Sequence, residues 1–271
     1  MRGPAVPSVL AVVLAVALTL GPARPPPPAT ADPGQAAIVV AVEDGDTLEL
    51  DRALEGVRRV RLAGVEAPKP PLGWPPVRPW RAAEAARAAL EELAVGRTVT
   101  AVAAAAPIDR HGRLLAQLHR DDGVWVQGEL LRRGMVRVRT GIDTRARAAE
   151  MLALEGEARA AGRGLWSDPF YAVRTPVAAH AAIGSFQIVE GRVVRATRVR
   201  NRVYLNFGPD WRTDFTVAVP TRLLRAFEAA GLRPLALADH TVRVRGWLEA
   251  VNGPLIEVTH PEQIEVVDAP P

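Results

Sequence analysis

Three clusters in the leading half of the chain have the side-chain types for cation or phosphate chemistry. They are Asp44-Gly45-Asp46-Thr47, then Arg61-Leu62-Ala63-Gly64-Val65-Glu66-Ala67-Pro68-Lys69, then Asp109-Arg110-His111-Gly112-Arg113. Carboxylates are hard oxygen ligands of the kind calcium takes. A guanidinium offers parallel donors to phosphate oxygens, and those contacts strengthen as charge builds in a transition state. Taken singly, each group has a plainer use. Asp44 and Asp46 suit a turn held by Asx hydrogen bonds, and Arg61 or Arg113 suits a surface ion pair of little energetic consequence. Lys69 is the chain's single lysine. Its ammonium has three donors and no acceptor, so it is no base while charged; a solvated loop position and a phosphate contact are both open to it.

In the trailing half, Arg192, Arg195, Arg198, Arg200 and Arg202 follow one another with no acid between them, and Tyr204, Phe207 and Trp211 come next. Such a run could track phosphates while the aromatics stack bases. It could equally be a solvated hairpin with its aromatics in a core. Residues 183–271 are nearly neutral overall, and Arg132 to Arg147 is a second basic stretch. The absence of Cys excludes disulfides, thiolate zinc sites, iron–sulfur clusters and a cysteine nucleophile. The five His residues lack metal-ligand spacing, no Ser nucleophile with a His partner stands out, and no phosphate-cradling glycine motif is present.

The elements that must position these groups follow from periodicity. Val39 to Glu43 and Thr47 to Asp51 read as strands around Asp44-Gly45, a hairpin turn signal, and Val57 to Leu62 as a third strand. Lys69 to Trp80 holds five prolines and reads as an irregular loop. Trp80 to Leu93 reads as a helix stopping at Gly96; Val99 to Ala103 and Leu114 to His119 read as strands. Val126 to Arg133 and Arg145 to Ala161 read as helices, each followed by glycine. The pattern predicts an α+β, mainly β unit: a five-stranded barrel with helices. Residues 169–184 lose periodicity and read as a linker. Beyond it Phe186 to Ala196, Val203 to Phe207 and Phe215 to Val219 read as strands, Thr221 to Ala230 as a helix, and Val242 to Ala250, Leu255 to Thr259 and Ile264 to Val267 as strands. Residues 185–268 therefore predict a second small barrel of OB type, with an immunoglobulin-like sandwich as the rival.

The chain has 271 residues, 48% hydrophobic and 24% charged, which allows a packed core and argues against wholesale disorder. The 34 basic residues against 30 acidic ones leave a net charge of +4, too mild to indicate a nucleic-acid partner by itself. Arg2, the apolar run Val9 to Leu20 and the small residues Ala29-Thr30-Ala31 read as a secretory leader over residues 1–31, with Asp32 as the new first residue and 32–36 as a Pro-rich linker. The apolar run is too short to span a bilayer comfortably. The expectation is an exported protein, periplasmic or secreted, with no membrane attachment after cleavage and no disulfide partner; the oligomeric state stays open.

The three clusters in this order, closed by Glu155, Ala158-Arg159 and Gly164-Leu165-Trp166, resemble the thermonuclease family, the staphylococcal-nuclease-like domain, over residues 37–168. The resemblance implies an OB-type five-stranded barrel with helices. It also implies a calcium-dependent activity that cuts phosphodiesters of DNA or RNA, with nucleic acid as partner. By resemblance, Asp46 and Glu66 with the backbone carbonyl of Ala67 hold the calcium ion, and Arg61 and Arg113 grip the scissile phosphate. Glu66 stands where the family has Asp, one methylene longer, and Ala67 where Thr is common. The chain departs from the family at Lys69, which occupies the position of the glutamate that positions or deprotonates the attacking water. Loss of a general base typically costs about 10²–10⁴-fold. Three readings follow: an exported phosphodiesterase with an altered water-activating group, a non-catalytic protein that binds nucleic acid or another polyanion on the same fold, and an envelope protein that keeps only the fold.

Overall fold

The computed structural model describes residues 36–69 and 81–267, all within one compact unit. The expected leader, its cleavage point, nearly all of the Pro-rich linker at 32–36 and most of the loop to Trp80 lie outside the described residues.

The leading half runs β1 (Ala36–Asp44), β2 (Thr47–Leu54), β3 (Val57–Leu62), β4 (Val65–Glu66), α1 (Arg81–Ala94), β5 (Thr98–Ile108), β6 (Leu114–Arg120), α2 (Val126–Arg132), β7 (Arg137–Val138) and α3 (Ala148–Ala160). Five of these strands close a barrel in the order β1-β2-β3-β6-β5. Alternation selects the inner face: Val39, Leu48, Leu50, Val60, Leu62, Leu114, Ala116 and Leu118 are all buried. Strands β3 and β6 run parallel, Val60 opposite Leu114 and Leu62 opposite Ala116, and β5 returns to β1 with Ala36 opposite Thr100. The expected α+β barrel with helices is therefore observed. Helix α3 starts three residues later than periodicity suggests. Arg147 sits in the left-handed region (φ 60°) just before it, its guanidinium over the Trp125 ring, where a helical backbone cannot continue.

The trailing half runs β8 (Phe186–Arg192), β9 (Arg195–Val199), β10 (Arg202–Asn206), β11 (Thr216–Pro220), α4 (Leu224–Ala229), β12 (Thr241–Trp247), β13 (Glu249–Ala250), β14 (Pro254–Glu257) and β15 (Ile264–Val266). Its strands form a five-stranded sheet, β13-β14-β11-β10-β9, and a three-stranded sheet, β15-β12-β8, around a second apolar core that includes Val189, Val203, Phe215, Phe227, Val244 and Ile256. The single strand expected from Phe186 to Ala196 is broken at Val193 and Val194. Val193 N–H donates to the His240 carbonyl at 2.9 Å and Val194 N–H to Asn206 at 2.8 Å, so the chain passes from one sheet to the other at this point.

The 169–184 stretch is not a free connector. It holds 3₁₀ turns at Pro169–Tyr171 and Ala178–Ala182, buries Tyr171 and Ala179, and bonds to β8 through Arg174 N–H to Ile188 O (2.8 Å) and Glu190 N–H to Arg174 O (2.9 Å). The two cores are also tied by charge. Arg245 on β12, 1% exposed, reaches Glu155 of α3 at 2.8 Å, Glu265 at 2.6 Å and the Val138 carbonyl at 3.3 Å.

Candidate nuclease site

The β1–β2 turn is tight for a packing reason. A Cβ at Gly45 would stand 2.6 Å from the Ala86 Cβ of α1 and 2.8 Å from that of Ala67, so only glycine lets the turn lie against both. Asp44 fulfils its turn role, accepting the Asp46 N–H at 3.0 Å. The close approach carries the Asp46 side chain, fully buried, beneath the segment after β4. Its Oδ2 accepts the Ala67 N–H at 2.6 Å and faces Arg61 Nη2 at 3.1 Å; its Oδ1 accepts from Thr47 Oγ1 at 3.2 Å and from Lys69 Nζ at 3.3 Å. Lys69 Nζ also donates to Asp44 Oδ2 at 2.6 Å, so one ammonium joins both carboxylates of the turn. Thr47 lies directly opposite Arg61 across β2 and β3, and Thr47 Oγ1 accepts from Arg113 Nη1 at 3.3 Å. Arg113 is aimed by Asp109, which accepts its Nε at 2.9 Å and the loop N–H groups of His111 and Arg113.

Asp46, Arg61, Ala67, Lys69 and Arg113 thus share one network. Glu66 does not join it. Gly64 (φ 79°) turns the chain out of β3 into β4, where Glu66 pairs across the two-stranded sheet with Arg137 of β7. Glu66 Oε2 accepts Arg137 Nε at 3.1 Å and Nη2 at 2.8 Å, and Oε1 accepts from Arg139 Nη1. Arg137 also donates to the Phe186 carbonyl at 2.9 Å and lies 4.6 Å from the Phe186 ring centre. The expected pairing of Asp46 and Glu66 on one ion is therefore replaced by two separate carboxylate–arginine arrangements. Periodicity held no signal for this, since β7 is only Arg137–Val138 and Arg139 lies just beyond it. The sequence reading saw only a basic stretch.

Electrostatics follow the contacts. Burial raises the Glu66 pKa, but Arg137 and Arg139 outweigh it and hold the carboxyl below its ordinary 4.5. Asp44 is also pushed up by burial, yet Lys69 and the Asp46 amide bring it far below the usual carboxylate range. Burial pushes the Asp46 carboxyl up against the pull of Arg61. A depressed folded pKa means stability that is present above the unfolded value and lost as pH falls through the folded one. Glu66 should therefore stabilise the fold above about pH 4.5 and lose that contribution in more acidic solution. Denaturant midpoints from pH 7 to pH 3 should fall less steeply in Glu66→Gln than in the parent; equal slopes would contradict the assignment.

The donor set does not fit a resident calcium ion, which takes 6–8 oxygens at about 2.3–2.6 Å. N–H donors occupy Asp46 Oδ2, guanidinium groups face both Glu66 oxygens, and the Lys69 ammonium already stands between Asp44 and Asp46. Ala67 meets the site through its N–H. Among the described residues, no three His, Cys, Asp or Glu side chains are grouped to hold a metal.

The profile of the family described as staphylococcal nuclease homologue matches residues 59–168. Two curated relatives, one from Escherichia coli O157:H7 and one from Escherichia coli, are each named uncharacterized endonuclease. Each is 32% identical over 130 residues, which are 48% of this chain and 76% of the relative. With that identity and coverage, the profile match and the closed barrel, the chain belongs to the staphylococcal nuclease homologues.

Proposed function

We propose that this protein is an exported phosphodiesterase acting on nucleic acid, with the ester held by Arg61 and Arg113. The observation that carries the reading is the Thr47 bridge. It sets Arg61 opposite Thr47 across the sheet, with its guanidinium on Asp46, and the Arg113 guanidinium on the Thr47 hydroxyl, with the two arginine side chains 14% and 18% exposed. Their remaining N–H groups suit the non-bridging oxygens of a phosphodiester and bind them more strongly as charge grows in the transition state. Water attacks phosphorus, the bond to the leaving ester oxygen breaks, and the water's proton must go elsewhere. Lys69 has no lone pair for it while charged. The proton therefore passes to solvent, and cleavage is slow by the roughly 10²–10⁴-fold that a missing base costs.

Calcium, the cofactor the family suggests, has no role in this reading because Lys69 supplies the positive charge at Asp44 and Asp46. The same observation favours one alternative, a protein that binds nucleic acid without cutting it. Export is supported by Arg2, the apolar run Val9 to Leu20 and Ala29-Thr30-Ala31. The test takes chain recovered outside the cytoplasm, expected to begin at Asp32, and incubates it with single-stranded DNA, with calcium and with a chelator. Slow cleavage that changes less than about tenfold on chelation is expected, a small effect beside the loss of a catalytic group. Binding with no cleavage in either condition, together with calcium-dependent cleavage gained by Lys69→Glu, would establish the alternative.

A further inference from the structure

The outer face of the five-stranded sheet in the trailing half is concave, enclosing about 580 Å³. Alternation puts Arg195, Thr197 and Val199 of β9 on it, with Arg202, Tyr204 and Asn206 of β10 beside them. The register aligns Thr197, Tyr204, Ala218 and Glu257 in one row across four strands, and Arg195, Asn206, Thr216 and Leu255 in the next. The small side chains of Ala218 and Thr216 leave the hollow; Tyr204 and Trp211 line it. Trp211 is 52% exposed, yet its loop is built to present it: Asp210 N–H donates to Asp214 at 2.7 Å, and Arg212 N–H to Asp210 at 3.1 Å. The three aromatics of this segment are thus divided. Phe207 enters the core against Phe215, while Tyr204 and Trp211 face the hollow.

Charge on this face is graded. Of the five arginines between 192 and 202, Arg192 pairs with Asp239 at 2.9 Å and Arg202 with Glu257 at 2.9 Å. The side chains of Arg195 and Arg200 find no partner among the described residues. Arg195 stands on the face, and Arg200 in the turn that joins β9 to β10. Glu249, on β13, is the acid of the opposite rim. Arg198 has the other parity, opposite the buried Val203.

We propose that this face is a second nucleic-acid site, separate from the Arg61–Arg113 cleft, that holds single-stranded DNA or RNA with bases stacked on Tyr204 and Trp211 and phosphates along Arg195 and Arg200. Aromatic rings accept any base, unpaired guanidinium groups follow the backbone, and the amide and hydroxyl groups of Asn206 and Thr197 meet base edges. A duplex cannot use the face, because its bases are already stacked on one another.

The experiment measures anisotropy of a labelled single strand of about 16 nucleotides, the upper end of the site sizes that stacking platforms of this kind cover, in an Arg113→Ala background. Binding that weakens with salt is expected. Tyr204→Ala and Trp211→Ala, made separately, should each raise Kd about 5- to 150-fold, the range that base stacking spans. Arg195→Ala should weaken binding and lower its salt dependence, whereas Arg198→Ala should do so by less than about twofold. Unchanged affinity in both aromatic variants, or a duplex bound as tightly as the single strand, would overturn the proposal. Trp211 lies in an exposed loop, so its variant stays informative if Tyr204→Ala fails to fold. Hydrolysis of a small phosphodiester by the otherwise unaltered chain should be unaffected by Trp211→Ala, which separates failure here from failure of the cleft.

Discussion

Arg113→Ala should lower the rate of phosphodiester cleavage by about 10²–10³-fold, the cost of removing one preorganised donor from a developing oxyanion. The fold should tolerate the change. Arg113 lies at the rim, 18% exposed, and its i,i+4 partner Asp109 is 13% exposed and still accepts the His111 N–H. A partly hydrated pair of this kind adds little stability. Arg113→Lys should recover only a small part of the rate, because a point charge cannot reproduce the fork that spans Asp109, Thr47 and a phosphate oxygen. Single-turnover cleavage of single-stranded DNA is the measurement, with melting temperature as the control for folding. A variant that cuts at the parent's rate would remove Arg113 from the site.

Arg245→Ala should destabilise the protein by about 3–5 kcal/mol, as expected when one member of a buried charge cluster is removed. Glu155 is fully buried, with one oxygen accepting the Val138 N–H at 2.7 Å and the other facing Arg245 at 2.8 Å and Arg159 at 3.3 Å. Burial disfavours the Arg245 charge, yet Glu155 and Glu265 more than offset this and raise its pKa. With Arg245 gone, Glu155 keeps the Val138 N–H and one guanidinium, that of Arg159, which is itself pulled down by burial and by neighbouring Arg243. The denaturation midpoint in urea is the readout. Arg245→Met combined with Glu155→Leu should recover most of the loss, because apolar residues of similar size replace buried ion pairs well. A midpoint for Arg245→Ala within error of the parent would show that the cluster is not buried in solution.

Sequence revealed the leading barrel because its strands bury one face each, so alternation was clean through Leu48, Leu50, Val60 and Leu62. The acidic turn and both arginines were legible for the same reason: each lies at or next to the end of such a strand. The partner of Glu66 was not. Strands β4 and β7 have two residues each, too few for any period, and Arg137 is 71 positions away. Arg245 was misleading in another way. Alternation through Val242 and Val244 places it on the outer side, which is correct, but the other core covers that side and burial reaches 99%. A strand pattern tells which side a residue takes, not what lies against that side.

The Arg245 cluster bears on how the molecule can be divided. Residues 169–184 look in sequence like a place to cut, yet scission there followed by separation would leave Glu155 and the Val138 carbonyl without the guanidinium that now serves them. The portion matched by the family profile is thus no detachable module in this chain. Its last helix is completed by a residue beyond the span that the family profile matches, so the appended half behaves as a structural subunit of the barrel it follows.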